Sequence, residues 1–243
     1  MEKTKKVKLF IGISYLSLIL IFLLLFFSKF SLQEITSYNF IKENRLYFLE
    51  LKNSNLFLVS LTFLFLTILW VFPFLGFGSP IALLAGFIFG KYIGTFICLT
   101  SFTIGCSFLY LLANAYFRDL VEKYLENKIG KLKNLFNKNE LIYFMLFRFV
   151  GGGGIPFGIQ NVLPVIFNMR IKNYIYATFI GLVPTTFIIC SIGSGIENII
   201  ENNESPTIFD AILNPEIYIP LLSFILILII SYFIKNKVFK NSN

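Results

Sequence analysis

The feature that most constrains this chain is the length of its charge-free stretches. No Asp, Glu, Lys or Arg occurs over 53–90, 92–117, 173–196 or 217–234. Roughly 18 apolar residues without charge are enough for a helix to cross the hydrocarbon core of a bilayer. Only 14% of the chain is charged, whereas an ordinary soluble domain carries about 25%. The chain is therefore read as an all-α integral membrane protein. A further uncharged run, 9–27, follows Lys3, Lys5, Lys6 and Lys8. It is longer than the apolar core of a cleaved leader, and Ser28-Lys29-Phe30 is a poor cleavage site. A retained first transmembrane helix is expected, with a signal anchor as the nearest alternative.

Composition excludes several function classes. The chain has no histidine, which removes the commonest general base, most zinc sites and every Ser-His or Cys-His pair. Ser194, between Gly193 and Gly195, thus has no base to activate it, and no enzyme, metal site or cofactor is expected. Cys98, Cys106 and Cys190 fall inside apolar segments and read as packing residues without a disulfide. The net charge of +8 does not point to nucleic acid, because the basic residues border apolar runs, where they meet anionic headgroups.

Charge asymmetry gives an orientation. Segment 116–140 holds Arg118, Lys123, Lys128, Lys131, Lys133 and Lys138, and Lys235, Lys237 and Lys240 follow the last apolar run. Segment 197–216 carries Glu197, Glu201, Glu204, Asp210 and Glu216 and no basic residue. Both termini and 116–140 are placed in the cytoplasm and 197–216 outside. Parity then requires 53–90 to enter and leave on one face, as a hairpin turning at Pro73-Phe74-Leu75-Gly76-Phe77-Gly78-Ser79-Pro80. A second hairpin, 140–168, mirrors it and breaks at Gly151-Gly152-Gly153-Gly154-Ile155-Pro156. Pro80 and Gly105 are 25 residues apart, as are Pro156 and Gly181. The expected fold is two opposed re-entrant helical hairpins in an inverted repeat, with flanking transmembrane helices.

The boundaries follow. Residues 1–52 hold the first transmembrane helix and a connecting loop. Residues 53–196 form the membrane domain, with hairpin 53–90, helix 92–115, amphipathic segment 116–138, hairpin 140–168 and helix 173–196. Residues 197–243 hold an acidic outer loop and a last transmembrane helix. In the amphipathic segment, Phe117, Leu120, Val121, Tyr124, Leu125, Ile129 and Leu132 share one face. That face suits a cytoplasmic interfacial helix or a loop helix packed on the bundle.

Arg148 is the one charge inside an apolar hairpin. Its planar fork of donors suits a lipid phosphate; alternatively it snorkels, or caps carbonyls freed by the glycine break. Gly151, Gly152, Gly153 and Gly154 offer free N–H groups to an anionic headgroup or form a plain tight turn. Gln160 and Asn161 are placed to contact ligand or to satisfy exposed backbone. Pro156 shapes the second break, and Pro73, Gly76, Gly78, Pro80, Gly86 and Gly90 shape the first. Glu140, at the foot of the second hairpin, is expected in water.

Segments GSPIALLAGFIFGKYIGT (78–95), FMLFRFVGGGGIPFGIQN (144–161) and NYIYATFIGLVPTTFI (173–188) resemble the DedA superfamily, in its SNARE-associated Golgi protein or VTT-domain branch. Phe144 and Arg148 match its aromatic-x-x-x-Arg/Glu pattern. The resemblance implies hairpin tips that meet inside the membrane, and transport or scrambling of a phospholipid or polyprenyl-phosphate lipid between leaflets. Proton-coupled members carry carboxylates in the first hairpin; 53–90 has none, which argues against proton coupling. The expected partners are membrane lipids, in a bacterial plasma membrane by the Lys-, Asn-, Ile- and Phe-rich composition. A homo-oligomer is left open. The alternative is a non-transporting membrane scaffold that recruits partners through 116–140.

Overall fold

The computed structural model describes residues 53–72, 78–116, 139–202 and 213–240, with scattered positions outside them. The expected helix at 9–27, most of the amphipathic segment, Pro73 and Gly76 lie outside the described residues. The elements described are all helical. Two helices, Ser79–Tyr116 and Ile171–Ile200, are long and apolar enough to cross a membrane.

Helix α1 (Leu56–Val71) starts at Asn55, whose side chain accepts from the Leu58 N–H and caps the first turn. Its Phe57, Leu58, Phe65, Leu66 and Leu69 are exposed, a surface suited to hydrocarbon. Helix α2 (Ser79–Tyr116) is broken at Gly90, with φ 76° and ψ 171°, a region essentially restricted to glycine. The break separates an arm, 79–89, from a long helix, 91–116. At 1.5 Å per residue that helix measures ~39 Å, against ~30 Å of hydrocarbon.

The arm doubles back along the long helix. A Cβ at Gly94 would sit 2.7 Å from the Ala85 carbonyl oxygen, and one at Gly78 2.9 Å from the Phe102 ring. Helix α1 ends at the same level, since Gly105 faces Val71 at 3.0 Å. Val71 and Gly78 thus both lie about half way along 91–116.

The second half repeats this plan. Asn139 caps α3 (Glu140–Phe149) as Asn55 caps α1. A 3-10 turn at Gly151–Gly154 leads to α4 (Phe157–Val162) and a second 3-10 turn, Leu163–Phe167. Asn168 then adopts a left-handed conformation with φ 50°, the counterpart of Gly90. Helices α5 (Ile171–Gly181) and α6 (Val183–Asn202) follow. A Cβ at Gly181 would lie 2.6 Å from the Arg148 Cβ, so Gly181 meets the end of α3 as Gly105 meets the end of α1. The 25-residue spacing therefore has a steric cause: each glycine makes room for the end of a hairpin's first arm.

Phe102 lies between the start of the arm and α4, with Gly78 against its ring and the Phe157 ring 6.4 Å away. From there the arm 79–89 runs toward the start of 91–116. Helix α4 and its 3-10 extension run toward the other end, where the Tyr110 hydroxyl donates to the Met169 carbonyl. The arm also packs on α6 backbone to backbone. A Cβ at Gly86 would be 2.0 Å from the Cys190 carbonyl oxygen, and one at Gly193 2.0 Å from that of Leu83. Cys98, Cys106 and Cys190 are buried and free.

An ion pair closes each foot. Lys91, next to Gly90, lies 3.0 Å from Glu216 in the first turn of α7 (Pro215–Lys240), and Arg170 lies 3.1 Å from Glu140. Burial alone would raise the Glu216 pKa. Hydrogen bonds from Lys91, Ser194 and Asn198, with the Lys91 charge, hold it below the usual carboxylate value. Two expectations are corrected here. Glu140 is not in open water: Arg170 and Asn173 clasp it and leave its side chain 20% exposed. Segment 197–216 is not loop throughout, because α6 continues to Asn202 and α7 begins at Pro215.

Candidate functional site

Arg148 sits in the last turn of α3, on the face it shares with buried Phe144. Packing against Gly181 of α5 leaves it fully buried, with 0% exposure. Its Nη2 donates to Asn161 Oδ1 at 2.6 Å and to the Tyr174 hydroxyl at 3.2 Å. The guanidinium carbon lies 4.9 Å from the Phe144 ring centroid, 5.0 Å from Phe157 and 5.9 Å from Tyr174, within cation–π range. Nε and Nη1 have no hydrogen-bond partner among the described residues. Among the described residues no carboxylate pairs with Arg148. The site therefore holds a positive charge with neutral partners and spare donors, an arrangement that favours an incoming anion.

The glycine break is held by another side chain. Gly151 and Gly152 have φ of 69° and 74°, and a Cβ at Gly152 would lie 2.0 Å from Gln160 Nε2. That nitrogen donates to the carbonyls of Ile155 (2.6 Å) and Gly151 (3.3 Å). Gln160 thus satisfies backbone that the break frees, a task considered for Arg148. Arg148 neither snorkels nor caps those carbonyls; a fully buried side chain reaches no interface, and its bonds go to Asn161 and Tyr174.

Beside the glycine break and the start of the arm lies a cavity of ≈ 630 Å³. It brings together Arg148, Gly151, Pro156 and Gln160 of the second hairpin, Gly78 and Ser79 of the first, and Thr185 and Thr186 of α6. Phe102, Phe157 and Leu182 supply apolar wall. Asn161 stands behind Arg148 as its acceptor. Gly152, Gly153 and Gly154 form the turn, and Pro80 lies in the first turn of the arm. Gly86 and Gly90, assigned to the first break, lie along the arm and at its foot, where helix packing and the positive φ require them.

Sequence reasoning did not single out Tyr174. Its hydroxyl also lies 3.2 Å from the Cys106 carbonyl and 3.3 Å from that of Asn161. Its ring stacks on Tyr110 at 4.6 Å and Phe144 at 5.4 Å. The available signal was spacing: Tyr174, Ala177, Thr178 and Gly181 form one helical face, and all are buried. Thr185 and Thr186 were overlooked because threonine is common in membrane helices.

Comparison with known proteins places the chain among relatives of a membrane family. The chain is 29% identical over 117 residues to transmembrane protein 41B of Xenopus laevis, covering 47% of this chain and 41% of the relative. It is 28% identical over 152 residues to the transmembrane protein 41 homolog of Dictyostelium discoideum, covering 60% and 44%. Protein YqeD of Bacillus subtilis (strain 168) is 29% identical over 146 residues, covering 59% and 69%. The chain thus spans less than half the length of the two transmembrane protein 41 relatives. No solved structure matches it. Residues 72–195, which hold both arms, both long helices and Arg148, match the VTT domain, and the chain belongs to that membrane-associated family, within the DedA and SNARE-associated Golgi protein superfamily.

Proposed function

We propose that this protein moves a phosphate-bearing lipid between the leaflets of a membrane, with Arg148 engaging the headgroup. The observation that carries this reading is a fully buried guanidinium with two unpartnered nitrogens, lining a cavity between two broken hairpins. In a bilayer the hairpins are re-entrant from opposite faces, as an inverted repeat. Supporting this, Gly78 and Gly151 both stand near the middle of a long helix, beside Phe102 and Thr185, and the arms that follow them run in opposite directions. Lys91 and Glu216 then share the outer face, while Glu140 and Arg170 share the cytoplasmic one, with both termini cytoplasmic and the bacterial plasma membrane as the setting.

Chemically, nothing in such a site needs to react. A phosphate entering the cavity meets a delocalised cation where its own charge is poorly solvated, which lowers the barrier for a headgroup at mid-bilayer. Asn161 and Tyr174 hold one edge of the guanidinium, and Thr185 and Thr186 add hydroxyls to the cavity wall. The test is lipid exchange in liposomes with purified protein, wild type against Arg148→Ala in a preparation of unchanged monodispersity. Exchange should fall to the protein-free background in the variant. Equal rates would remove Arg148 from the mechanism, and no exchange by wild type would leave the scaffold alternative.

A further inference from the structure

We infer that the cavity admits the headgroup alone, through a side opening between the two turns, while the acyl chains stay in the bilayer. The protein should therefore select lipids by headgroup size and be indifferent to their tails. The inference rests on the lipid-exchange reading of the same site and adds a cut-off to it.

Three observations carry it. The first is volume: ≈ 630 Å³ lies within the ~300–1,000 Å³ that encloses a single small ligand. That space holds a phosphate with a small alcohol such as ethanolamine or glycerol. It does not hold two acyl chains as well.

The second is where the cavity opens. Arg148, Leu182, Thr186 and Gln160 are buried in its wall, whereas Ser79, Gly151, Pro156 and Ile159 line it and are exposed. Among the described lining residues, the exposed ones lie at the start of the arm (Ser79), in the glycine break and its proline (Gly151, Pro156) and in α4 (Ile159). Gly78 and Gly151 stand at mid-length of the long helices, beside Phe102 and Thr185. In a bilayer this mouth faces hydrocarbon, so a lipid tail outside it stays solvated by other tails and needs no binding site.

The third is the chemistry of the wall. Arg148, Gln160 and Thr186 place polar groups in an otherwise largely apolar buried wall, and three of the four exposed lining residues, Gly151, Pro156 and Ile159, carry no polar side chain. A charged head is drawn inward and a hydrocarbon chain is left at the rim. The ligand class is then a phospholipid with a small phosphodiester head, whatever its chain length or number.

The experiment uses the full chain in liposomes and tail-labelled fluorescent lipids quenched from outside. Phosphatidylethanolamine and phosphatidylglycerol are compared with phosphatidylethanolamine whose amine carries a polyethylene glycol chain, and with dimyristoyl, dioleoyl and lyso forms of the small-headed lipids. We expect the polymer-headed lipid to exchange at least tenfold more slowly than its parent, and the tail series to agree within threefold. Ile159→Trp, at the exposed rim, should slow phosphatidylglycerol more than phosphatidylethanolamine. Equal rates for free and polymer-bearing heads overturn the inference, as does a rate that tracks tail length. In both cases the lipid-exchange reading survives, because exchange is still observed. Absence of exchange for every lipid overturns both.

Discussion

Replacing Arg148 by methionine separates two roles that a buried arginine usually confuses. The substitution takes an ionised group out of the interior, worth ~2.5–3.5 kcal/mol on insertion scales for a membrane centre. Against this, Asn161 Oδ1 loses a charge-assisted donor at 2.6 Å, and a buried acceptor left short costs about 1–3 kcal/mol. The Tyr174 hydroxyl keeps the carbonyls of Cys106 and Asn161, so it is not orphaned. Contact with three rings is retained in part, because a thioether also packs well on aromatics. The opposing contributions nearly cancel, and Arg148→Met should lie within about 2 kcal/mol of wild type. For a chain of this size that is a change in Tm of under ~8 °C in detergent, at ~2–4 °C per kcal/mol. Lipid exchange in the same preparation should drop to background. The assay pair is thermal unfolding by tryptophan fluorescence and exchange in liposomes. A fall in stability of ~3–5 kcal/mol, the size expected when a buried structural ion contact is broken, would refute the reasoning and make Arg148 a keystone of the fold. Full exchange by a stable variant would refute the headgroup role.

The other expectations concern the glycines and the Lys91–Glu216 ion pair. Gly152→Ala should destabilise more than Gly151→Ala. Both positions have positive φ, costing ~1–2 kcal/mol for an L side chain, but only at 152 would the Cβ collide with Gln160, at 2.0 Å; detergent Tm values rank the two. Gly86→Ala drives a Cβ into the Cys190 carbonyl and should cost roughly 1–3 kcal/mol by overpacking, read as a lower Tm and poorer yield. Glu216 has a folded pKa below its ordinary value of 4.5, so its contribution is complete above that value and is lost as pH falls through the folded pKa. Acidification below about 4.5 should free the start of α7, seen as faster hydrogen exchange over 215–219, and Glu216→Gln should abolish that pH step.

The long charge-free runs, the glycine break at 151–154 and the buried arginine were legible because each is a local signal: hydropathy, glycine and proline, and a charge out of place. The 25-residue spacing was legible too, though its steric cause appears only when Gly105 and Gly181 are seen beneath the arm ends. Other features depend on residues far apart in the chain. Lys91 and Glu216 are 125 positions apart, and no pattern around either announces the other. Gln160 and Asn161 look alike as neighbouring amides, yet the α4 helix turns one toward the glycine carbonyls and the other toward Arg148. Glu140 was read as solvated because its sequence neighbours gave no sign of Arg170 and Asn173, which the left-handed turn at Asn168 brings back to it.

Where Gly86 touches the Cys190 carbonyl and Gly193 touches that of Leu83, no side chain lies between the two backbones to slide or repack. The arm 79–89 and α6 are for this reason a single lever, and Gly90 is its natural pivot. A shift at the clasp of Lys91 and Glu216 would then be felt directly at Thr185 and Thr186, in the cavity wall, without any rearrangement of the intervening packing.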